Sequence, residues 1–351
     1  LIPFFAISWK QLQKIKIETY LCFLILFLIG RQLLSQSPLA AFVQLIHLFE
    51  IFLFFYVCQN DPLFKTKLAE KFSLGAILSV IIFQSLLAIY QFIFQKSLLA
   101  YQFLGESNLR DLANISKGQF FFAEKILPYG ATPHPNILAG IVVILSILVW
   151  QKIKHLPILR LVIISNALLI VFLTQSLSAF LTLILFAIYL IFKKFKIKKI
   201  FLIGLYYFFL LLLPVFLEKF SVIWPNQNSI TRRIVLNQAS LEMFQHNLLF
   251  GVGINNFTLN LEEYASNKEV VRFVQPVHHL LFLILSEGGL LLLTTIFLLV
   301  KQAKIKSFYT KSLILLAIAS LDHYLLTQFS GMSLLALFYL FVYLPIFMAL
   351  D

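Results

Sequence analysis

Charged residues are scarce in this sequence, and acidic residues are the scarcer of the two kinds. Only 12% of the 351 residues are charged, whereas a soluble domain usually has about 25%. This scarcity excludes an ordinary soluble domain, because too few charges are present to cover a surface in water. The sequence is instead 60% hydrophobic, with its apolar residues in long blocks. An α-helix needs roughly 20 such residues to cross a bilayer, so the composition predicts an integral membrane protein.

Cysteine is also nearly absent, and several enzyme motifs are missing altogether. Cys22 and Cys58 both fall in apolar blocks, so we interpret them as packing residues rather than as a disulfide or metal site. The sequence has no P-loop, no dinucleotide glycine fingerprint and no G-x-S-x-G elbow. It has no D-x-D pair, and its seven histidines do not form a metal-binding set. Neither a metal nor another cofactor is therefore expected.

The apolar blocks predict about ten membrane-spanning helices. The predicted fold class is all-α, a polytopic transmembrane helix bundle that forms a single membrane domain over residues 1–351. The predicted spans lie near 18–30, 39–58, 72–95, 136–150, 157–173, 178–192, 200–217, 279–300, 312–327 and 332–350.

Lysine and arginine cluster in every second connection between these spans. Roughly 18 of the 28 basic residues lie there, for example in KKFKIKK at 193–199. The other connections include two long loops, 96–135 and 218–278, in which bases and acids are mixed. Because basic residues stay on the cytoplasmic side, both long loops are predicted to be extracytoplasmic. The net charge of +13 is then an orientation signal. We expect contact with membrane lipids and no binding of nucleic acid.

The second long loop is predicted to contain an amphipathic helix from about 231 to 248. Ser229 or Thr231 would cap its N-terminus, and two glycines end it. Its predicted apolar face consists of Ile234, Leu241, Met243, Phe244 and Leu248. Arg232 and Arg233 open this helix. Guanidinium groups at a helix N-terminus suit a diphosphate, although two arginines that merely contact water or headgroups are equally compatible with the sequence.

Two histidines stand at the predicted outer end of the next span, in VQPVHHLLFLILSEGG at 274–289. An imidazole there can accept a proton at neutral pH, so His278 or His279 is a candidate base. The alternative, which position alone favours, is an interfacial polar residue that ends a span. Glu287 lies roughly 13 Å deeper at 1.5 Å per residue. A carboxylate at that depth faces a cavity and orients a neighbour, or is a paired structural acid.

Two further groups of polar residues are candidates. In PYGATPHPN, the prolines around His134 restrict the backbone, so His134 and Tyr129 would line a site, with Asn136 capping the following span. An entry turn with a purely structural role is the alternative. Asp322 and His323 are adjacent within the predicted ninth span. They form either a proton or ion pathway or, more simply, a polar contact between helices.

Three stretches together resemble the O-antigen ligase and polymerase family of bacterial membrane glycosyltransferases. They are LPYGATPHPNILAG at 127–140, SITRRIVLNQASLEMFQHNLLFGVGINNF at 229–257, and the histidine-led stretch at 274–289. Their order, spacing and predicted side of the membrane all agree with that family.

The resemblance implies transfer of a glycan from an undecaprenyl-diphosphate carrier to a glycan or lipid acceptor, on the outer face of the bacterial inner membrane. His278 matches the proposed base of the family, which deprotonates the acceptor hydroxyl without a metal and with inversion. Arg233, or less closely Arg232, matches the arginine that holds the departing diphosphate.

Two positions depart from the family pattern. Leu177 stands where many members have a second arginine, and His279 stands where asparagine is common. A polytopic transporter or flippase is the competing class, since it would also show many spans and a few buried charges. Such a protein would have helices broken near the midplane and an internal repeat. A relative that only binds lipid-linked glycan is a third possibility.

Overall fold

The computed structural model describes most of the chain as α-helix. The described residues are 19–60, 66–99, 105–109, 115–120, 123–195, 201, 204–205, 207–212, 227–302 and 313–343. Their helices are α1 Thr19–Arg31, α2 Pro38–Asn60, α3 Lys67–Phe94, α4 Pro135–Lys152, α5 Pro157–Thr174, α6 Leu177–Phe195, α7 Gln227–His246, α8 Phe257–Tyr264, α9 Leu280–Gln302, α10 Leu316–Leu321, α11 Tyr324–Thr327 and α12 Phe329–Tyr343. Short 3-10 helices lie at Gln32–Leu34, Lys268–Phe273 and Leu313–Leu315, and a π-helical turn at Phe208–Leu212.

Long apolar helices confirm a helical fold of membrane type. Four helices within the described ranges are long and apolar enough to cross a bilayer, namely Lys71–Phe94, Pro135–Lys152, Pro157–Thr174 and Leu280–Leu299. Shorter apolar helices occupy Cys22–Leu34, Pro38–Phe54, Leu177–Phe192 and Phe329–Phe338. The predicted span 200–217 falls largely outside the described residues. The total of about ten spans and the side on which the loops lie stay predictions.

The chain packs as two compact units. The first comprises Leu1–Asn60 and Ile197–Met332, and the second comprises Asp61–Lys196 and Ser333–Asp351. The single domain expected from the sequence stays a prediction. In the second unit α4 lies against α3, α5 and α6. It is buried on nearly every side, as its uniformly apolar sequence favours.

A two-stranded antiparallel hairpin departs from the all-α expectation. It lies within the loop 96–135, where β1 Lys117–Phe120 pairs with β2 Ala123–Ile126. The apolar ring of Phe120 packs edge-to-face on Phe92 and on Phe172. This aromatic packing holds the hairpin on α3 and α5, and nothing in the apolar periodicity of the spans could have predicted it.

The predicted loop helix exists as α7, but it starts earlier than predicted and its buried face differs from the predicted apolar face. It begins at Gln227, so Ser229 and Thr231 lie inside the helix rather than capping it. Leu241 and Leu248 are exposed. The buried face is instead Val235, Leu236, Ala239, Ser240 and Met243. This face is shifted because α7 packs on α9 and α8, and the apolar core that they share includes Phe257, Leu261, Val277 and Leu283.

The ninth predicted span is interrupted. α10 ends at Leu321, Asp322 has an extended backbone, and α11 starts after His323. Two adjacent polar residues interrupt the apolar segment here, so its helix does not continue. α9 is also interrupted, at Gly289, which has φ 60° and ψ −161°.

Candidate active site

Helices α7 and α9 lie side by side and run in the same direction. The Ser240 hydroxyl donates to the Phe282 carbonyl at 2.8 Å, with 42 residues between the two. The same offset recurs further on, where Leu290 N donates to the Leu248 carbonyl at 2.9 Å and Leu291 N to the Leu249 carbonyl at 3.1 Å. A constant offset means that residues advance together along both chains, so the two helices are parallel.

This register brings Arg233 and His278 to the same end of the helix pair. On the 42-residue offset, the residue level with Arg233 is three positions before His278. Both arginines are partly buried near the start of α7, and burial lowers the pKa of Arg232 from its ordinary value. A guanidinium is nevertheless charged at any physiological pH.

The two adjacent histidines have different surroundings. His278 is half-buried, and its ring contacts that of His323 edge-to-face, with centroids 5.2 Å apart and planes at 77°. His279 is only 1% exposed, and its ring packs on Phe282 with centroids 4.5 Å apart. Of the two candidate bases, His278 is therefore the more exposed. No sequence pattern predicted the contact with His323.

Glu287 holds the main chain of a loop. Its two carboxylate oxygens accept hydrogen bonds from Asn255 N at 2.9 Å and Phe257 N at 3.2 Å. The side chain is 8% exposed. Phe257 N belongs to the first turn of α8, where N–H groups have no partner within the helix. The neighbour that Glu287 orients is thus the loop that ends α7 and begins α8.

The interruption of α9 is bridged by the same loop. Residues 248–253 lie against residues 286–291, and we call this arrangement the backbone crossing. Val252 N and Gly253 N donate to the carbonyls of Ser286 and Glu287, at 2.8 and 2.9 Å. Directly after Gly289, the N–H groups of Leu290 and Leu291 donate to the carbonyls of Leu248 and Leu249. The crossing therefore satisfies backbone groups that the break would leave unpaired in an apolar environment.

Glycine is required at the crossing because two backbones touch. Gly251 has φ 62°, and a Cβ built on it would lie 2.3 Å from the backbone carbon of Glu287. A Cβ built on Gly289 would lie 2.5 Å from the backbone carbon of Leu249. No side chain fits at either distance, so Gly251 and Gly289 serve one contact.

The candidate residues of the second unit form a rigid loop at the start of α4. His134 caps α4, since its Nδ1 accepts a hydrogen bond from Asn136 N at 3.1 Å. The expectation that Asn136 is the cap is therefore wrong. His134 Nε2 lies 3.3 Å from the Ser116 hydroxyl, and the Tyr129 hydroxyl accepts from Ser116 N at 2.9 Å.

The side chain of Gln91 forms hydrogen bonds with the main chain of this loop. Its side-chain oxygen accepts from Tyr129 N at 2.9 Å and from Gly130 N at 2.7 Å. Its side-chain nitrogen donates to Glu106 and to the Gly130 carbonyl, both at 3.1 Å. Tyr129 is 4% exposed. The bonds favour a role for Tyr129 and His134 in holding the loop's shape.

Comparison with protein families gives a match to the part of the chain that contains the two arginines, the two adjacent histidines and Glu287. Residues 161–297 match the O-antigen ligase family. The match begins in α5, includes Arg232, Arg233, His278, His279 and Glu287, and ends in α9. It leaves out Tyr129, His134 and Asn136. Among curated proteins, the comparison found no match.

The O-antigen ligase match agrees with the resemblance drawn from the sequence motifs. Together with the apolar helices, it supports a membrane protein with a function of the glycosyltransferase kind. The match covers somewhat less than half of the chain.

Within the described residues, no cluster of three or more His, Cys, Asp or Glu side chains could hold a metal ion.

Proposed function

We propose that this O-antigen ligase-like chain transfers a glycan from an undecaprenyl-diphosphate carrier to a hydroxyl group of a glycan or lipid acceptor. The transfer takes place on the outer face of the bacterial inner membrane, and the outcome is either ligation or polymerisation. The proposal is supported by the parallel course of α7 and α9, with Arg233 near the start of α7 and the half-buried His278 just before the start of α9.

The chemistry needs one base and one cation. His278 takes the proton from the acceptor hydroxyl, whose oxygen forms a bond to the anomeric carbon from the face opposite the carrier. The bond between that carbon and the carrier oxygen breaks, and the electron pair leaves with the diphosphate. Arg233, assisted by Arg232, stabilises the negative charge that develops on this leaving group. The reaction proceeds with inversion and requires no metal.

The remaining candidate residues act by shaping the site. Glu287 positions the loop at 255–257, and the buried ring of His279 packs on Phe282. In the second unit, Tyr129, His134 and Asn136 lie in one hydrogen-bonded loop and stay candidates for binding the glycan or its acceptor. Leu177, at the start of α6, offers no charge where many family members have arginine.

Reconstitution tests this proposal. Purified protein in liposomes receives undecaprenyl-diphosphate oligosaccharide and an acceptor glycolipid, and glycan transfer is measured with and without chelator. We expect transfer that survives chelation and falls by at least ~100-fold in His278→Ala, the scale of a lost general base. Arg233→Ala should lower the rate by a similar factor, while Arg233→Lys keeps part of it. His155→Ala and Arg272→Ala are controls at exposed positions.

Transfer that persists in His278→Ala contradicts the proposed base. Transfer that is lost on chelation contradicts the metal-free mechanism.

A transporter is the second candidate, and the two interrupted helices favour it. Gly289 breaks α9, and Asp322 separates α10 from α11. Transporters often place such breaks at a substrate site. Sealed vesicles that move labelled lipid-linked glycan across the bilayer, without forming a glycosidic bond, would decide for the transporter.

A further inference from the structure

His323 lies where the chain between 313 and 327 stops being a continuous helix. Asp322 has φ −146° and ψ 143°, while His323 returns to helical backbone angles at the start of α11. The interruption costs backbone hydrogen bonds in an apolar segment. The His323 ring that it carries meets the ring of His278 from α9. Two imidazoles, 45 residues apart in sequence, thus form one pair inside the first unit.

Thr327 contacts the ring of His323 at Nδ1. The Thr327 hydroxyl lies 2.6 Å from His323 Nδ1 and 3.2 Å from the His323 carbonyl, to which it can donate. When the hydroxyl proton is directed at the carbonyl, the Thr327 oxygen accepts a hydrogen bond from Nδ1–H. A neutral His323 then carries its proton on Nδ1, and Nε2 is the nitrogen that can take up a further proton.

We propose that His323 is the second proton-carrying residue of the site and works through His278. This inference rests on the proposed glycan transfer. When His278 has taken the proton of the acceptor hydroxyl, that proton passes to Nε2 of His323, which becomes an imidazolium that Thr327 stabilises through Nδ1–H. Release to water then restores both neutral rings. No bond other than these N–H bonds changes, and His323 itself does not touch the glycan.

Variants at His323 separate proton transfer from packing. His323→Phe keeps an aromatic ring beside His278 but removes both nitrogens, and His323→Ala removes the ring as well. We expect both to lower kcat by at least ~10-fold, with little change in KM for carrier or acceptor. His155→Phe is the matched control at an exposed site. Wild-type kcat in His323→Phe would overturn the proposal, because the ring alone would then suffice.

Thr327 supplies a second, milder pair of variants. Thr327→Ser keeps the hydroxyl and should retain wild-type kcat. Thr327→Val has a similar shape but cannot accept from Nδ1–H, so its kcat should fall without a change in KM. Equal kcat in the two variants would contradict the role of this hydrogen bond. Elution as a single detergent-solubilised species confirms that each variant is folded.

A spectroscopic readout keeps this test separate from that of the proposed function. In protein labelled with ¹⁵N-histidine, the His323 signals should show the Nδ1–H form, and the His278 signals should shift in His323→Phe but not in His155→Phe. Signals are assigned by their loss in His278→Gln and His323→Gln. Unshifted His278 signals overturn the pair. If the His278 signals depend on His323 in this way but the wild-type protein transfers no glycan, the proposed function is overturned. The proposed proton transfer to His323 is overturned with it.

Discussion

Gln91 illustrates how one buried side chain determines the shape of a loop. It is fully buried, yet its amide forms two hydrogen bonds as acceptor and two as donor. An amide that is satisfied in this way costs little to bury, whereas the groups that it pairs would be costly to leave alone. Its partners Tyr129 and Gly130 lie in the PYGATPHPN stretch, so the rigidity expected from the prolines comes equally from a glutamine on α3.

Replacing Gln91 should loosen that loop. Gln91→Met keeps the side-chain volume but leaves the N–H groups of Tyr129 and Gly130 without their acceptor, at a cost of about 1–3 kcal/mol each. We expect amide hydrogen exchange at 129–131 to accelerate by at least ~10-fold. Gln119→Met, at an exposed position, is the control. Unchanged exchange in Gln91→Met would show that the prolines alone hold the loop.

Glu287 makes an equally local contribution in the first unit. Glu287→Gln retains one acceptor oxygen but turns an NH₂ group toward a backbone N–H. We expect the unfolding free energy to fall by about 1–3 kcal/mol, the cost of leaving a buried donor unsatisfied. Thermal unfolding in detergent measures it, with the exposed Glu242→Gln on α7 as control. Equal midpoints for the two variants would contradict the role of Glu287 in the loop.

At the scale of the element, helix extents were predictable and helix faces were not. The apolar blocks 39–58 and 157–173 correspond to α2 and α5 within about two residues, because block length alone decides where such helices run. The face of α7 was misplaced, since its partners α8 and α9 are remote in sequence. The His278–His323 contact was missed for the same reason. The sequence shows only that Asp322 and His323 are adjacent polar residues within the predicted ninth span.

The interruption of α9 gives a prediction about that element. Gly289→Ala places a Cβ against the Leu249 backbone and forces alanine into a backbone region that is essentially limited to glycine. We expect a loss of at least ~2 kcal/mol in unfolding free energy, measured by thermal unfolding in detergent. Gly75→Ala in α3, where a Cβ meets nothing within 4 Å, should be neutral or slightly stabilising.

A Gly289→Ala protein as stable as the wild type would mean that α9 can run straight through this position.

At the scale of the whole molecule, charge asymmetry predicts which loops face outward. Lys117 in the hairpin and Lys154 between α4 and α5 lie in loops of opposite predicted sides and are both exposed. Such asymmetry could be seen in the sequence because it depends on composition alone. The parallel course of α7 and α9 could not, because it depends on contacts such as that between Ser240 and Phe282, which are remote in sequence.

Cysteine labelling tests this orientation. With Cys22 and Cys58 replaced by serine, Lys117→Cys should react with a membrane-impermeant maleimide in cells whose outer membrane is permeabilised. Lys154→Cys should react only after lysis. The reverse pattern would place both long loops in the cytoplasm and remove the carrier lipid's diphosphate from reach.

The backbone crossing has a consequence for how this part of the chain can evolve. Main-chain atoms make its hydrogen bonds, so the chemistry of the exposed side chains at Leu248, Leu249 and Leu290 is largely free to change. Chain length is not free in the same way. One residue inserted between 249 and 252 would shift the N–H groups of Val252 and Gly253 away from the carbonyls of Ser286 and Glu287. Descendants of this protein should therefore vary in residue identity across that stretch while keeping its number of residues.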